Sequence, residues 1–115
     1  LSKNEQTVPV VNESNFDEML KTRNRVIVLI YASWCPFCMS FLPVFSRYSR
    51  EMADHCFMVK DDRETIADKY EVDVVPTVLF FENGVVSKRL DGILGVGLHE
   101  NQLAEFIHHC NLSAG

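Results

Sequence analysis

The sequence predicts an α/β domain built on a central mixed sheet with helices on both faces. Three observations carry that prediction. Strand-like and helix-like stretches alternate in the order β-α-β-α-β-α-β-β-α. Val26 to Ala32 is apolar on both parities, as in a strand covered on both sides. Two strand-like runs flank Asn83-Gly84, a pair suited to the two positive φ angles of a type I′ hairpin turn. Helices between the first three strands imply parallel crossovers, and the hairpin implies an antiparallel end.

Taken in order, residues 1–6 read as a loose tail ahead of a single domain over residues 7–115. Thr7 to Val11 is a short strand that Pro9 directs to a sheet edge. Ser14 is placed to cap a first helix, with Asp17 and Glu18 in its first turn and Phe16, Met19 and Leu20 as its apolar stripe. After the strand of Val26 to Ala32, the residues Cys38, Phe41, Leu42, Phe45, Tyr48 and Met52 recur at helical spacing. Pro43 falls inside that helix and is expected to bend it. Cys56 to Val59 is a third strand, and Asp62 signals the start of a third helix. Thr77 to Phe81 and Val85 to Leu90 form the hairpin. A glycine-bearing connection through Gly92, Gly95 and Gly97 leads to a last helix over Leu98 to Cys110. Leu103, Phe106, Ile107 and Cys110 lie on one side of that helix.

Composition narrows the functions. Of 115 residues, 47% are apolar, enough for a core without disulfide staples. A net charge of −5 argues against a reader of nucleic-acid backbones, which needs a basic stripe. No stretch reaches the roughly 18 apolar residues of a membrane span. The start, LSKNEQT, has neither an initiator methionine nor a signal-peptide core. We expect either a leader or anchor removed before Leu1 or a shortened chain, so cytoplasmic and extracytoplasmic or lumenal locations stay open.

Four cysteines are too few for a disulfide scaffold, and only Cys35 and Cys38 have suggestive spacing. Cys35 falls where strand becomes helix. Unpaired N–H groups and the positive end of the helix dipole stabilise a thiolate there and raise the fraction of nucleophile at neutral pH. Pro36 suits the first helical turn, where its missing N–H costs nothing. Cys38, one turn on, is placed to attack a mixed disulfide formed at Cys35. The pair reads as nucleophile and resolving thiol of a disulfide exchange. A zinc knuckle is the competing reading of the motif. The second knuckle is missing, because Val59 stands where a further cysteine would be needed after Cys56, and no metal ligands are assigned.

With Trp34-Cys35-Pro36-Phe37-Cys38 after a buried strand, Pro43, Val75-Pro76-Thr77, Phe80-Phe81-Glu82-Asn83-Gly84 and Gly92 in that order, the chain resembles the thioredoxin family from about Thr7 to Cys110. The resemblance implies a thioredoxin fold and thiol–disulfide oxidoreductase activity with no cofactor beyond the Cys35–Cys38 disulfide. It implies a cis peptide bond at Pro76 and a substrate groove formed by Trp34, Pro36, Phe37, Val75, Pro76 and Gly92. The partners it implies are protein disulfides or dithiols, plus a redox partner such as a thioredoxin reductase or a membrane electron donor, with the domain acting as a monomer. Reductase is the leading direction. Oxidase or isomerase, or a non-catalytic binding module of the same fold, are the alternatives.

Two features depart from the family. Pro36-Phe37 replaces the usual Gly-Pro between the cysteines, and Cys-Pro-aromatic-Cys looks more like glutaredoxin. The family also carries a buried aspartate six residues before the first cysteine, where this chain has Leu29. A family lysine on the next strand falls at or near Phe57, with Lys60 as a shifted candidate. The Cys38 proton then needs water or another base, and slower resolution of mixed disulfides is expected. Cys56 and Cys110 are expected in the packed interior. His108 and His109 are read as a solvated helix end, and Asp61 and Asp62 as loop or cap residues.

Overall fold

The structure, a computed structural model, describes residues 8–112. Thr7 and the tail expected over residues 1–6 lie outside the described residues. The elements are β1 (Val10–Asn12), α1 (Phe16–Lys21), β2 (Arg25–Tyr31), α2 (Pro36–Ser49), a 3-10 segment (Arg50–His55), β3 (Cys56–Lys60), α3 (Thr65–Lys69), β4 (Thr77–Glu82), β5 (Val85–Leu90) and α4 (Glu100–Cys110). They form one five-stranded sheet in the order β1-β3-β2-β4-β5. β3 is parallel to both β1 and β2, whereas β4 runs antiparallel to β2 and to β5. This is the mixed sheet expected from the order of elements, with Pro9 just ahead of the edge strand β1. The carbonyl of Pro9 still accepts the N–H of Met58 at 2.9 Å.

Strand alternation divides the core into two layers. Ile27, Leu29 and Tyr31 of β2 face one side, where Phe41 and Phe45 of α2 and Leu103, Phe106 and Cys110 of α4 cover them. Val26, Val28 and Ile30 face the other, beneath Phe16 and Leu20 of α1 and Ile66 and Ala67 of α3. The second layer is anchored by Phe16, whose ring meets Phe57, Tyr70 and Phe81 edge-on at 5.9, 6.0 and 6.1 Å. Such pairs contribute about 0.5–1.5 kcal/mol each beyond simple burial. The hairpin turn has φ of 54° at Asn83 and 83° at Gly84, as the type I′ expectation requires.

Four local expectations need correction. Ser14 does not cap α1. Asn15 occupies the cap position but its side chain accepts the Asn12 N–H instead of a helix N–H, while the Asn12 side chain accepts the Ser14 N–H at 2.9 Å and Oγ–H at 2.7 Å. A short Asx turn has displaced the expected cap. Helix α2 ends at Ser49, and Met52 lies in the 3-10 segment with non-helical angles (φ −134°, ψ 45°). The Ser49 hydroxyl, fully buried, donates to the Phe45 carbonyl at 2.7 Å and so competes with the backbone ladder at that point. Leu98 precedes α4 instead of opening it, because His99 and Gln102 form a capping box. Asp62 does not start α3. That helix begins at Thr65, and Asp61 supplies its capping carboxylate. Pro43 does lie inside α2, on its exposed side, where its ring nitrogen has no hydrogen to offer the Met39 carbonyl.

Candidate active site at the start of the second helix

Sheet strand β2 ends at Tyr31, and the chain turns through Ala32, Ser33 and Trp34 before Cys35. The Cys35 N–H is held by the Ala32 carbonyl at 3.3 Å. Cys35 is itself the N-cap residue of α2, with extended backbone (φ −102°, ψ 114°) and Pro36 as the first helical residue. Its sulfur takes the place of a capping oxygen, accepting the Cys38 N–H at 3.3 Å. As a thiol it also donates to the Val75 carbonyl at 3.6 Å. An anion at this sulfur would meet a free helix N–H and the positive end of a fourteen-residue helix.

Cys38 lies one turn deeper and is nearly inaccessible. Burial, reinforced by the neighbouring Cys35 sulfur, pushes its thiol up to about 12. Ionising Cys38 therefore needs a base or a change in its surroundings. Leu29, at the position where the family places an acid, is fully buried in the same apolar layer as both sulfurs. Neither lysine substitute reaches them. Phe57 belongs to the opposite layer, and Lys60 faces Asp62 at the surface with a 4.0 Å separation. Tyr31 is the polar neighbour on this side. Burial raises its hydroxyl above the ordinary phenol value, with smaller contributions from Asp62 and Cys38.

Asp62, read from the sequence as a helix start, has a different task. Its carboxylate accepts the Ser33 N–H and the Ser33 hydroxyl, both at 2.7 Å, and its carbonyl accepts the Trp34 indole N–H at 3.1 Å. The two Ser33 bonds hold its pKa below the usual carboxylate range. Asp62 thus pins the segment that presents Trp34 and Cys35. Asp61, nearly inaccessible, accepts the N–H groups of Ile66 and Ala67 at 2.9 and 2.7 Å. Burial nevertheless moves its carboxyl up, with a smaller contribution from Glu13.

The loop before β4 supplies the facing wall. The Val75–Pro76 peptide bond is cis. Thr77 ties this loop to the chain beyond β5, donating its hydroxyl to the Val74 carbonyl at 2.6 Å and accepting the Gly92 N–H at 3.1 Å. Gly92 packs so closely that a methyl group there would overlap the Pro76 carbonyl. Gly97, at φ 83°, lies against the Phe37 ring.

Cys35, Trp34, Phe37, Val75, Ile93 and Leu94 border one cleft of about 290 Å³. Pro36 also lines it, while Pro76 and Gly92 stand directly behind the Val75 wall. The site residues expected from sequence are thus gathered at one end of the sheet. Sequence reasoning missed Ile93 and Leu94, and also Glu64 and Asp73 on the acidic side. The signal available was the run Ile93-Leu94-Gly95-Val96-Gly97, apolar side chains in a glycine-bearing loop with no core to enter. A larger depression of about 600 Å³ near the hairpin turn, bordered by Asp17, Lys21 and Tyr70, holds no nucleophile and lies apart from the cysteines.

Cys56 and Cys110 take no part in the cleft. Both are buried in the layer beneath α2 and α4, and burial pushes their thiols up to about 12 and about 11. His109 points its Nδ1 to the Glu105 carbonyl at 2.8 Å, within its own helix. Among the described residues no three His, Cys, Asp or Glu side chains cluster so as to hold a metal ion, and no helix is long and apolar enough to cross a membrane.

A buried dithiol at a helix N-terminus, facing a cis-proline loop across a mixed five-stranded sheet, defines the class of thioredoxin-fold thiol–disulfide proteins. The chain belongs to the thioredoxin family, which it matches over residues 7–109. It is 29% identical over 100 residues to a thioredoxin of Mycoplasmoides gallisepticum, covering 85% of this chain and 96% of that protein. It is 36% identical over 85 residues to the chloroplastic thioredoxin Y of Oryza sativa subsp. japonica, covering 70% of this chain and 51% of that protein. The chain thus spans about half the length of this plant relative. The crystal structure of thioredoxin f from spinach chloroplast superposes with a TM-score of 0.75 at 22% identity, over 92% of this chain and 95% of that one, and supports the fold.

Proposed function

We propose that this domain reduces protein disulfides through Cys35 and Cys38, with Cys35 as nucleophile and Cys38 as resolving thiol. The observation that carries the reading is the Cys35 sulfur at the N-cap of α2, hydrogen-bonded by the Cys38 N–H and open to the cleft.

The chemistry balances as a two-electron exchange. The Cys35 thiolate attacks one sulfur of a substrate disulfide, forming a Cys35–substrate bond and breaking the substrate S–S bond. The departing substrate thiolate takes up a proton. Cys38, once deprotonated, attacks Cys35, forming the Cys35–Cys38 disulfide and releasing the second substrate thiolate. The substrate gains two electrons and the domain loses two, so a separate dithiol donor must restore it. A thioredoxin reductase or a membrane electron donor fits that need. Trp34, Pro36 and Phe37 border the approach to Cys35. Val75, Pro76 and Gly92 form the wall along which an extended substrate segment lies. We further propose that the missing acid at Leu29 slows the second step, because Cys38 must lose its proton inside an apolar layer.

The test is the reduction potential of Cys35–Cys38, measured by equilibration with glutathione on protein with Cys56 and Cys110 replaced by serine. A value near about −270 mV supports an electron donor, in keeping with a reducing compartment. A value between about −180 and −120 mV overturns the reductase direction in favour of disulfide donation or isomerisation outside the cytoplasm.

A further inference from the structure

The cleft beside Cys35 has two chemically different sides. On one, Phe37, Ile93 and Leu94 are exposed apolar side chains, Leu94 at 83%, while the exposed Trp34 is held beside the acidic loop by the Asp62 carbonyl. Isolated apolar residues on a surface are ordinary, but three bordering one cleft at a nucleophile form a contiguous patch. The patch is held in shape. Ile93 and Gly97 form a β-bridge, the Val96 and Gly97 N–H groups both return to the Ile93 carbonyl at 2.9 and 2.8 Å, and Gly97 rests on the Phe37 ring.

The other side is acidic. Asp61, Glu64 and Asp73 line the cleft, and no lysine, arginine or histidine among the described residues does. Asp61 is committed to the start of α3. Glu64 and Asp73 are exposed and form no side-chain hydrogen bond or ion pair among the described residues. The nearby cations Lys60 and Arg63 border a separate depression at the β1 edge, together with Glu13 and Asp62. The carboxylates thus meet no cation within the lining of the cleft, in a chain that is itself acidic.

We propose that this cleft selects extended disulfide-bearing protein segments that carry a large apolar side chain and a lysine or arginine beside the reactive cysteine, the apolar group resting on Phe37, Ile93 and Leu94 and the cation meeting Glu64 and Asp73. The inference rests on the oxidoreductase reading above and names its substrate class. Apolar contact supplies affinity. The unpaired carboxylates supply discrimination and faster encounter, because an anionic segment meets like charge in a partly enclosed site.

The probes are three short peptides, each with leucine next to its cysteine and disulfide-linked to the same chromogenic thiol. They differ only in carrying arginine, serine or glutamate two positions away. In the full chain, kcat/KM for the arginine peptide should exceed that for the glutamate peptide by about tenfold at low salt, the combined effect of two exposed carboxylates. The ratio should fall towards one at high salt and in a Glu64→Gln/Asp73→Asn variant. Because it compares two substrates on one protein, a change in the folded fraction cancels. Equal rates for the three peptides, a ratio untouched by the double variant, or oxidised glutathione reduced as fast as the arginine peptide would each overturn the selectivity while leaving the oxidoreductase reading in place. No turnover of any peptide overturns both.

Discussion

The two pairs of cysteines in this chain share one buried layer but differ in place, one at the start of a helix beside a cleft and the other sealed beneath two helices. Cys35 follows the turn after β2, caps a helix, lines a cleft and accepts a backbone N–H on its sulfur. Cys56 opens β3 and Cys110 closes α4, both sealed in the layer that α2 and α4 form with the sheet. There the thiols are pushed far above their ordinary value by loss of solvent. Cys38 belongs to both worlds, one helical turn from Cys35 and as buried as the structural pair. All four thiols are buried, and what separates Cys35 is its place at a helix end beside the cleft.

The strongest way to break the comparison is to remove each pair in turn. Cys35→Ser should reduce disulfide turnover to the uncatalysed rate, and Cys38→Ser should accumulate a mixed disulfide with substrate. A Cys56→Ser/Cys110→Ser variant should turn over within about twofold of the parent, while each buried hydroxyl lacking a partner costs about 1–3 kcal/mol of stability. Turnover assays beside urea denaturation read both, and a catalytic loss in the second variant would erase the distinction between the pairs.

Giving the buried layer a base tests why Cys38 is reluctant. Leu29→Asp should speed release of substrate from the mixed disulfide at neutral pH. It should also cost at least about 3 kcal/mol, since a carboxyl enters an apolar layer with no partner in place. Stopped-flow measurement of the second step is the readout. An unchanged release rate would remove the missing acid as its cause.

A smaller effect is expected at the facing wall. Gly92→Ala forces a methyl onto the Pro76 carbonyl, and relief by backbone movement should cost about 1–3 kcal/mol and raise KM for peptide substrates more than it lowers kcat. Thermal denaturation and steady-state kinetics on peptide disulfides check it.

The mildest test concerns the loop that presents Cys35. Trp34 is the single tryptophan, so its fluorescence reports that loop. The Asp62 pKa lies below the usual range because Ser33 donates two hydrogen bonds to the ionised form. These bonds are present above the unfolded-state value of about 3.9 and are lost as pH falls through the lower folded value. Trp34 emission should shift with a midpoint below about 3.9, and the transition should vanish in Asp62→Asn. A midpoint above that value would mean that Asp62 does not hold the loop.

Much of the molecule was legible in the chain. The run Val26 to Ala32, Asn83-Gly84 and the apolar spacing of Phe41 and Phe45 each follow from a local rule of periodicity or turn geometry. The place of Cys35 was legible for the same reason, since a cysteine followed by proline between strand and helix is a local statement. Helix starts were less so. Ser14, Asp62 and Leu98 were expected at helix starts, but Asn12 holds Ser14 in a turn, Asp61 caps the third helix and His99 pairs with Gln102, because several neighbouring side chains compete for the same few backbone groups.

What the sequence by itself determined is the order of elements, the alternating strand faces and the pair of sulfurs one helical turn apart, because each depends on residues a few positions from one another. What tertiary structure decided is everything set by distant segments meeting. It brought Val75 within reach of Cys35 across 40 positions, and it set Asp62 to holding Ser33 instead of opening a helix. It also opposed the Ile93–Gly97 loop to Glu64 and Asp73 across one cleft. No local pattern encodes such encounters. They follow from strand order and register, which are fixed only when the two apolar faces of the sheet are buried together.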